Sequence, residues 1–386
     1  MIRIIKVTQM GECTSAENNP ALMSLPRRKS RQIKIGNVKI GGGAPVVVQS
    51  MTMADTKKTK ACLDEIHRLE EAGCEVVRVA VPDKDSAEKI GEIKKNISIP
   101  LIADIQFNYS LALIAIKQGV DALRLNPGNI PNKQGVREVV KACKEKGIPI
   151  RIGVNAGSIS KELLMKYGWP TPKALVEQAE NELRLLQDLD FHDIKISLKS
   201  SDVLTTIGAY RLMAGRCDYP LHLGVTEAGT PFAGAIKSAV GMGVLLAEGI
   251  GDTLRVSLTG DTVDEIRAGF EMLKALNLRQ HGPVIVSCPS CGRCDVDLIE
   301  STQKVEKSLE QLQKEGVKLD GIKVSVMGCE VNGPGEGRLA DVGIAFGKGV
   351  GLLFKGGEII SRMNSEDESV DKLLVELRHM AAQKKE

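Results

Sequence analysis

From residue 46 onward the chain repeats one pattern. A short apolar run ends in polar residues and is followed by a stretch whose apolar positions recur at helical spacing. The runs are "VVVQSMT" (46–52), "EVVRVAV" (75–81), "PLIADI" (100–105), "ALRLNPG" (122–128), "PIRIGVN" (149–155), "DIKISLK" (193–199), "PLHLGVT" (220–226) and "TLRVSLT" (253–259). Between them lie stretches such as "KACLDEIHRLEEAG" and "TPKALVEQAENELRLLQDL", several of them closed by glycine, as helix C-termini commonly are. Strands alternating with helices predict right-handed βαβ units and a parallel sheet, an α/β fold. The count reaches eight and stops, which favours a closed (β/α)8 TIM barrel over an open doubly wound sheet. "QIKIGNVKIGGG" (32–43), with a turn signal at Gly36-Asn37, predicts a hairpin capping the barrel bottom. Residues 1–30 read as a loose polar extension, with "RRKSR" (Arg27 to Arg31) as its solvated end.

Past "QHGPV" (280–284) the rhythm changes. "VIVSCPSC" is a strand entering a cysteine-rich turn, and a charged helix follows it. Then come the strand "IKVSVMGC", a glycine-rich loop, the hydrophobic pair within "DVGIAFGKGVGLLFKGGEIISRM" and a last helix, "SVDKLLVELRHMAAQ". The predicted organisation is an extension (1–30), a barrel with its hairpin (31–279) and a small α+β domain (280–386).

Composition narrows the partners. A net charge of +3 and 3% aromatic residues give neither a basic face nor stacking platforms for nucleic acid. No run approaches the roughly 18 apolar residues of a membrane helix, and the N-terminus lacks a signal peptide's pattern. Nine cysteines without a secretion signal point to a reducing cytoplasm. Five of them, Cys13, Cys62, Cys74, Cys143 and Cys217, are scattered singly and read as small buried hydrophobes or idle thiols.

The polar residues within the strands are the first candidate chemistry. Gln49, Ser50, Arg78, Asp104, Arg124, Asn126, Arg151, Asn155, Lys199, Glu227, Arg255 and Ser257 fall in the second half of a barrel strand or at its end. A barrel keeps its active site at that face. One arginine there reads as structural glue for a neighbouring acid. Four arginines and a lysine converging on one mouth suggest a doubly anionic ligand, with diphosphate the leading choice.

The second candidate is the thiol turn. Cys288 and Cys291 are spaced C-x-x-C, Cys294 follows, and Cys329 stands in "VMGCEVNGPGE". Such spacing brings two sulfurs to one side of a turn and suits zinc or an iron–sulfur cluster. The fourth ligand is either Cys294 or a residue other than cysteine, and spacing alone does not name the metal.

In order, "PVVVQSMTMADT", "RLNPGN", "RIGVNAGS", "ISLKSSDV", "PLHLGVTEAG", "GIGDTLRVSLTGD", "SCPSCGR" and "GCEVNGPGE" resemble the 4-hydroxy-3-methylbut-2-enyl diphosphate synthase family, from about residue 30 to the end. The resemblance implies the two-domain bacterial type, a TIM barrel followed by a cluster domain resembling part of sulfite reductase. It implies a two-electron reductive ring opening and dehydroxylation of 2-C-methyl-D-erythritol 2,4-cyclodiphosphate on a [4Fe-4S] cluster. It implies iron ligation by Cys288, Cys291, Cys329 and Glu336, flavodoxin or ferredoxin as electron donor, and a homodimer. Glu227 is the first candidate for protonating the departing oxygen and Asp104 the second, with Glu336 an exchangeable ligand. The family usually shows His and Asp where this chain has Gln106 and Asn108, which puts a role for those two positions in doubt. Cys294 is not required by the family pattern and reads as idle. Two rivals stand beside this reading: a pterin diphosphate transferase resembling dihydropteroate synthase with a structural zinc domain, and a non-enzymatic electron carrier.

Overall fold

The computed structural model describes residues 26–294, 296–329, 335, 339–347 and 350–383. They form two compact units divided between Arg279 and Gln280.

In the first unit a hairpin of β1 (Ile33–Ile35) and β2 (Val38–Ile40) precedes eight parallel strands. These are β3 (Val47–Met51), β4 (Val76–Ala80), β5 (Leu101–Asp104), β6 (Ala122–Arg124), β7 (Ile150–Asn155), β8 (Ile194–Lys199), β9 (His222–Leu223) and β10 (Thr253–Leu254). They pair in the order β8-β7-β6-β5-β4-β3-β10-β9. The circle closes through an isolated parallel bridge from Ile196 to Leu221 and a 3.3 Å bond from Thr226 N–H to the Ser200 carbonyl. This is the predicted barrel. Strands β6, β9 and β10 are shorter than their apolar runs, because the chain bends out of the ladder where rim residues begin.

Every second residue of a barrel strand faces inward. At the bottom, inward Val47, Val76, Ile102 and Ala122 pack under Ile33, Ile35 and Ile40 of the hairpin, which plugs that end as expected. The outward faces bury Val48, Val77, Val79, Leu123, Ile152 and Ile196 in the main core beneath the helices. Asp83, Asn132, Asp202 and Asp261 cap the helices Lys84–Lys95, Lys133–Lys146, Val203–Ala214 and Thr262–Ala275, each accepting a backbone N–H of the first turn.

Arg27 and Arg28 of the "RRKSR" segment are not solvated, contrary to expectation, while Lys29 is exposed. Arg27 donates to the Gly251 carbonyl at 2.9 Å, and Arg28 donates to the Cys217 and Tyr219 carbonyls at 2.6 and 2.5 Å. Both guanidiniums also pair with buried Asp252, and their side chains are only 20% and 13% exposed. Unpaired carbonyls at the foot of the barrel draw them in, a demand that composition does not show.

In the second unit five strands, β11 (Val284–Ser287), β12 (Lys323–Met327), β13 (Val342–Gly347), β14 (Val350–Lys355) and β15 (Glu358–Met363), lie in sequence order. The first three run parallel and the last two antiparallel. Helices Leu298–Lys314 and Glu366–Gln383 lay Val305, Leu309, Leu373 and Leu377 against Val324, Val326 and Ile344 of the sheet. The expected hydrophobic pair is three strands. Gly356 and Gly357, both at positive φ, make the tight turn that divides its second half.

Candidate active site

The C-terminal ends of the barrel strands enclose a cavity of about 380 Å3. Of the residues singled out at the rim, Arg78, Asp104, Arg124, Asn126, Arg151, Asn155, Lys199, Arg255 and Ser257 line it. Gln106, Phe107, Asn129, Ser158, Ser197 and Thr226 also line it; they stand in bends or on inward strand positions that no charge advertises. Glu227 is exposed in the turn after β9, at φ 53°, and its neighbour Thr226 rather than Glu227 itself lines the cavity.

Hydrogen bonds hold much of this set rigid. Arg124 donates to Asp104 at 3.2 Å, to the Gln106 amide oxygen at 3.0 Å and to the Gly153 carbonyl at 3.0 Å. Asn126 bonds both ways with the Gly153 backbone, at 2.9 and 2.8 Å. Arg78 stands 3.6 Å from Asp104, and Arg255 stands 3.3 Å from buried Glu265. Gly153 and Gly224 leave room for the cations. A Cβ on the first would come within 2.7 Å of Arg124 Nε, and one on the second within 2.7 Å of Lys199 Nζ.

Cations outnumber acids here. Arg78, Arg124, Arg151, Lys199 and Arg255 face only Asp104 and Glu265, and Arg151 and Lys199 have no carboxylate partner among the described residues. Burial first, and neighbouring cations after it, lower Arg78 to about 10. The same causes push Arg151 and Lys199 well below their ordinary values. A site that strains its own cations in this way gains most from an anion.

The two departures from the family pattern have separate places. Gln106 donates to Asp104 at 3.1 Å and accepts from Arg124, so it belongs to the mouth. Asn108 caps the helix Tyr109–Lys117 through the Ser110 N–H.

In the second unit, β11 runs into Cys288-Pro289-Ser290-Cys291. Ser290 has φ 59°, a left-handed conformation that costs a serine about 1 kcal/mol and turns the chain between the two cysteines. Cys288 Sγ accepts the Gly328 N–H at 3.4 Å, immediately before buried Cys329, while Cys291 is exposed. Cys294 Sγ bonds the Val296 carbonyl at 3.4 Å and packs so closely on Gly328 that a Cβ there would meet it at 2.2 Å. Thiols on one turn, with a backbone N–H on one sulfur, suit an iron–sulfur cluster's donor chemistry. Among the described residues, no three of Cys, His, Asp and Glu stand close enough to hold a metal ion. Glu336 lies outside those residues.

Residues 30–270 match the family model of the GcpE TIM-barrel domain, and residues 284–379 that of the GcpE protein C-terminal domain. A curated protein of Geobacter sulfurreducens is 57% identical over 358 residues, covering 93% of this chain and 99% of its own length. One of Clostridium perfringens is 57% identical over 341 residues, 88% and 96% of the two chains. Both are named 4-hydroxy-3-methylbut-2-en-1-yl diphosphate synthase (flavodoxin). Among solved structures, the Yersinia pestis dihydropteroate synthase aligns with 64% of this chain and 96% of its own, at 10% identity and a TM-score of 0.45. That likeness carries no argument.

Proposed function

The chain belongs to the GcpE family, and from that premise we propose that it converts 2-C-methyl-D-erythritol 2,4-cyclodiphosphate to 4-hydroxy-3-methylbut-2-enyl diphosphate. One ring carbon–oxygen bond and one carbon–hydroxyl bond break, two electrons enter, and the hydroxyl leaves as water. The observation that carries this reading is the cation surplus of the mouth in a chain 57% identical to an enzyme named for that product.

Arg151 and Lys199, which lack carboxylates, take the diphosphate, and Arg124 and Asn126 are held ready beside it by the Gly153 backbone. Arg78 and Arg255 complete the anion's neutralisation. Protonation of the leaving oxygen falls to Glu227, exposed at the rim, or to Asp104, which Arg124 and Gln106 hold in place at the mouth. Cys288, Cys291 and Cys329, with Glu336, would hold a [4Fe-4S] cluster. When bound, it supplies the two electrons and a Lewis-acidic iron. Flavodoxin is the electron donor that the relatives' names support. We read the protein as a cytoplasmic homodimer; no described helix is long and apolar enough to cross a membrane.

The test is anaerobic turnover of the cyclodiphosphate with reduced flavodoxin. The expected product is the open allylic diphosphate, identified by mass spectrometry. Consumption of two electrons without that product, or no consumption by iron-loaded protein, overturns the reading. Sedimentation at micromolar concentration tests the dimer.

A further inference from the structure

Between the hairpin plug and the cavity lies a layer of polar side chains that the proposed reaction does not use. Gln49 stands on β3 between Val47, which packs on the plug, and Met51, whose sulfur accepts from Arg78. Lys195 stands on β8, two residues below Ser197 and four below Lys199, both of which line the cavity. His222 stands on β9, two residues below Gly224, whose missing Cβ makes room for Lys199.

This layer is sealed. Gln49 and Lys195 are 1% exposed and His222 is 0% exposed. Among the described residues, neither polar atom of the Gln49 amide, nor Lys195 Nζ, nor His222 Nε2 has a hydrogen-bond partner. Arg151, directly opposite Lys195 in the β7–β8 register, leaves its Nε and one Nη equally without a partner.

The groups facing Lys195 are mostly cationic. Arg151 on β7, Arg78 on β4 and neutral His222 on β9 surround it. The nearest acid, Asp252 at the foot of β10, is taken by Arg27, Ser30 and the Leu221 N–H. A buried ammonium without a counter-ion is too costly to keep, so the amine sheds its proton in the free protein. An anion above Arg151 and Lys199 removes the repulsion that, after burial itself, disfavours the charge.

We propose that Lys195 is a positioning residue for anion binding: it takes a proton from solvent when the diphosphate settles on Arg151 and Lys199. The inference rests on the cyclodiphosphate reading. No electrons move; one proton leaves the buffer and joins the neutral amine. The charged Lys195 then backs Arg151 from below and adds to the field that holds the ligand. Because binding takes up a proton, affinity falls as pH rises, by up to about tenfold per pH unit for each coupled proton. Lys199, also depressed and in contact with the ligand, contributes its own share, so the Lys195 share must be isolated by substitution.

The experiment is calorimetric titration of oxidised, iron-loaded protein with the cyclodiphosphate, in two buffers of different ionisation enthalpy at one pH. The ligand's two phosphates each carry one strongly acidic proton, so uptake near neutrality belongs to the protein. Wild type is expected to take up about one proton more than Lys195→Met, in which only the Lys199 share of the uptake remains. Lys195→Arg, charged throughout, should bind with the same reduced uptake; this second variant serves if methionine impairs folding. Equal uptake in wild type and either folded variant overturns the proposal. Absence of binding by wild type overturns the cyclodiphosphate reading instead.

Discussion

The barrel mouth and the thiol turn solve opposite problems. In the mouth, charged groups are forced close together before any ligand arrives. Strand register sets Arg124 beside Arg151, and hydrogen bonds to Asp104 and Gly153 fix the first. In the second unit the sulfurs sit on a turn and at a strand end, one buried and one exposed. The first arrangement stores electrostatic strain that a ligand relieves; the second stores only a bent backbone at Ser290. A substrate site can be finished by folding alone, whereas a metal site gains its final order from the metal.

The largest effect expected from breaking this contrast is in the thiols. Cys291→Ser should lower bound iron and cut turnover by about 100-fold or more. Hydrogen exchange in the barrel strands should not change, because the mouth is complete without the cluster. Equal loss of protection there would mean that the barrel too depends on the cofactor.

Next come the cations, which should separate among themselves. Arg151→Met removes an unpaired guanidinium and should weaken substrate binding by about 1–3 kcal/mol while leaving stability unchanged or raised. Arg124→Met should weaken binding similarly but also destabilise the fold, since Asp104 and the Gly153 carbonyl each lose one of their donors, keeping only Gln106 and Asn126. Michaelis constants and urea unfolding of both variants decide the point, and matching stabilities would remove the distinction. Gly224→Ala is tested on stability alone. Its methyl meets Lys199 Nζ and, at 2.9 Å, the Arg255 carbonyl, so strand as well as side chain must yield, at about 1–3 kcal/mol by the same unfolding measurement.

The same contrast governs what was legible in the sequence. Barrel strands announce themselves because both faces are buried, and a charged residue such as Arg78 or Lys199 in an apolar run stands out at once. Inward Ser197 did not stand out, since it does not break the pattern by charge. Lys195 was visible as a lysine inside "DIKISLK", but strand period alone does not say that it lies in a sealed layer below Lys199. Arg27 and Arg28 were misread because most of their partners are backbone carbonyls, which have no letter, and their one acid, Asp252, lies more than 220 residues away. The C-x-x-C turn was legible from spacing, while the third strand of the expected pair was passed over although Gly356-Gly357, between Lys355 and Glu358, carries a turn signal.

The smallest effect concerns the thiols that the site does not use, and it sharpens the contrast chemically. Cys62, Cys74 and Cys143 lie buried in the barrel, and burial raises them to about 11, about 12 and about 12. Only the thiolate reacts with an alkylating agent, so at pH 8 their labelling in the folded protein should be slower than that of a free thiol by about 100-fold or more. Exposed Cys291 in iron-free protein should label first. The raised values also carry a stability consequence whose sign is fixed. Below about 9, the ordinary thiol value, folded and unfolded states hold these protons alike. From there towards about 12 the unfolded chain loses protons that the folded barrel keeps, so stability falls as pH rises. Cys143→Ala should therefore flatten part of the alkaline limb of the unfolding curve, at the cost of a small cavity. An alkaline limb unchanged in Cys143→Ala would show that this barrel thiol titrates in the folded protein as it does in the unfolded chain.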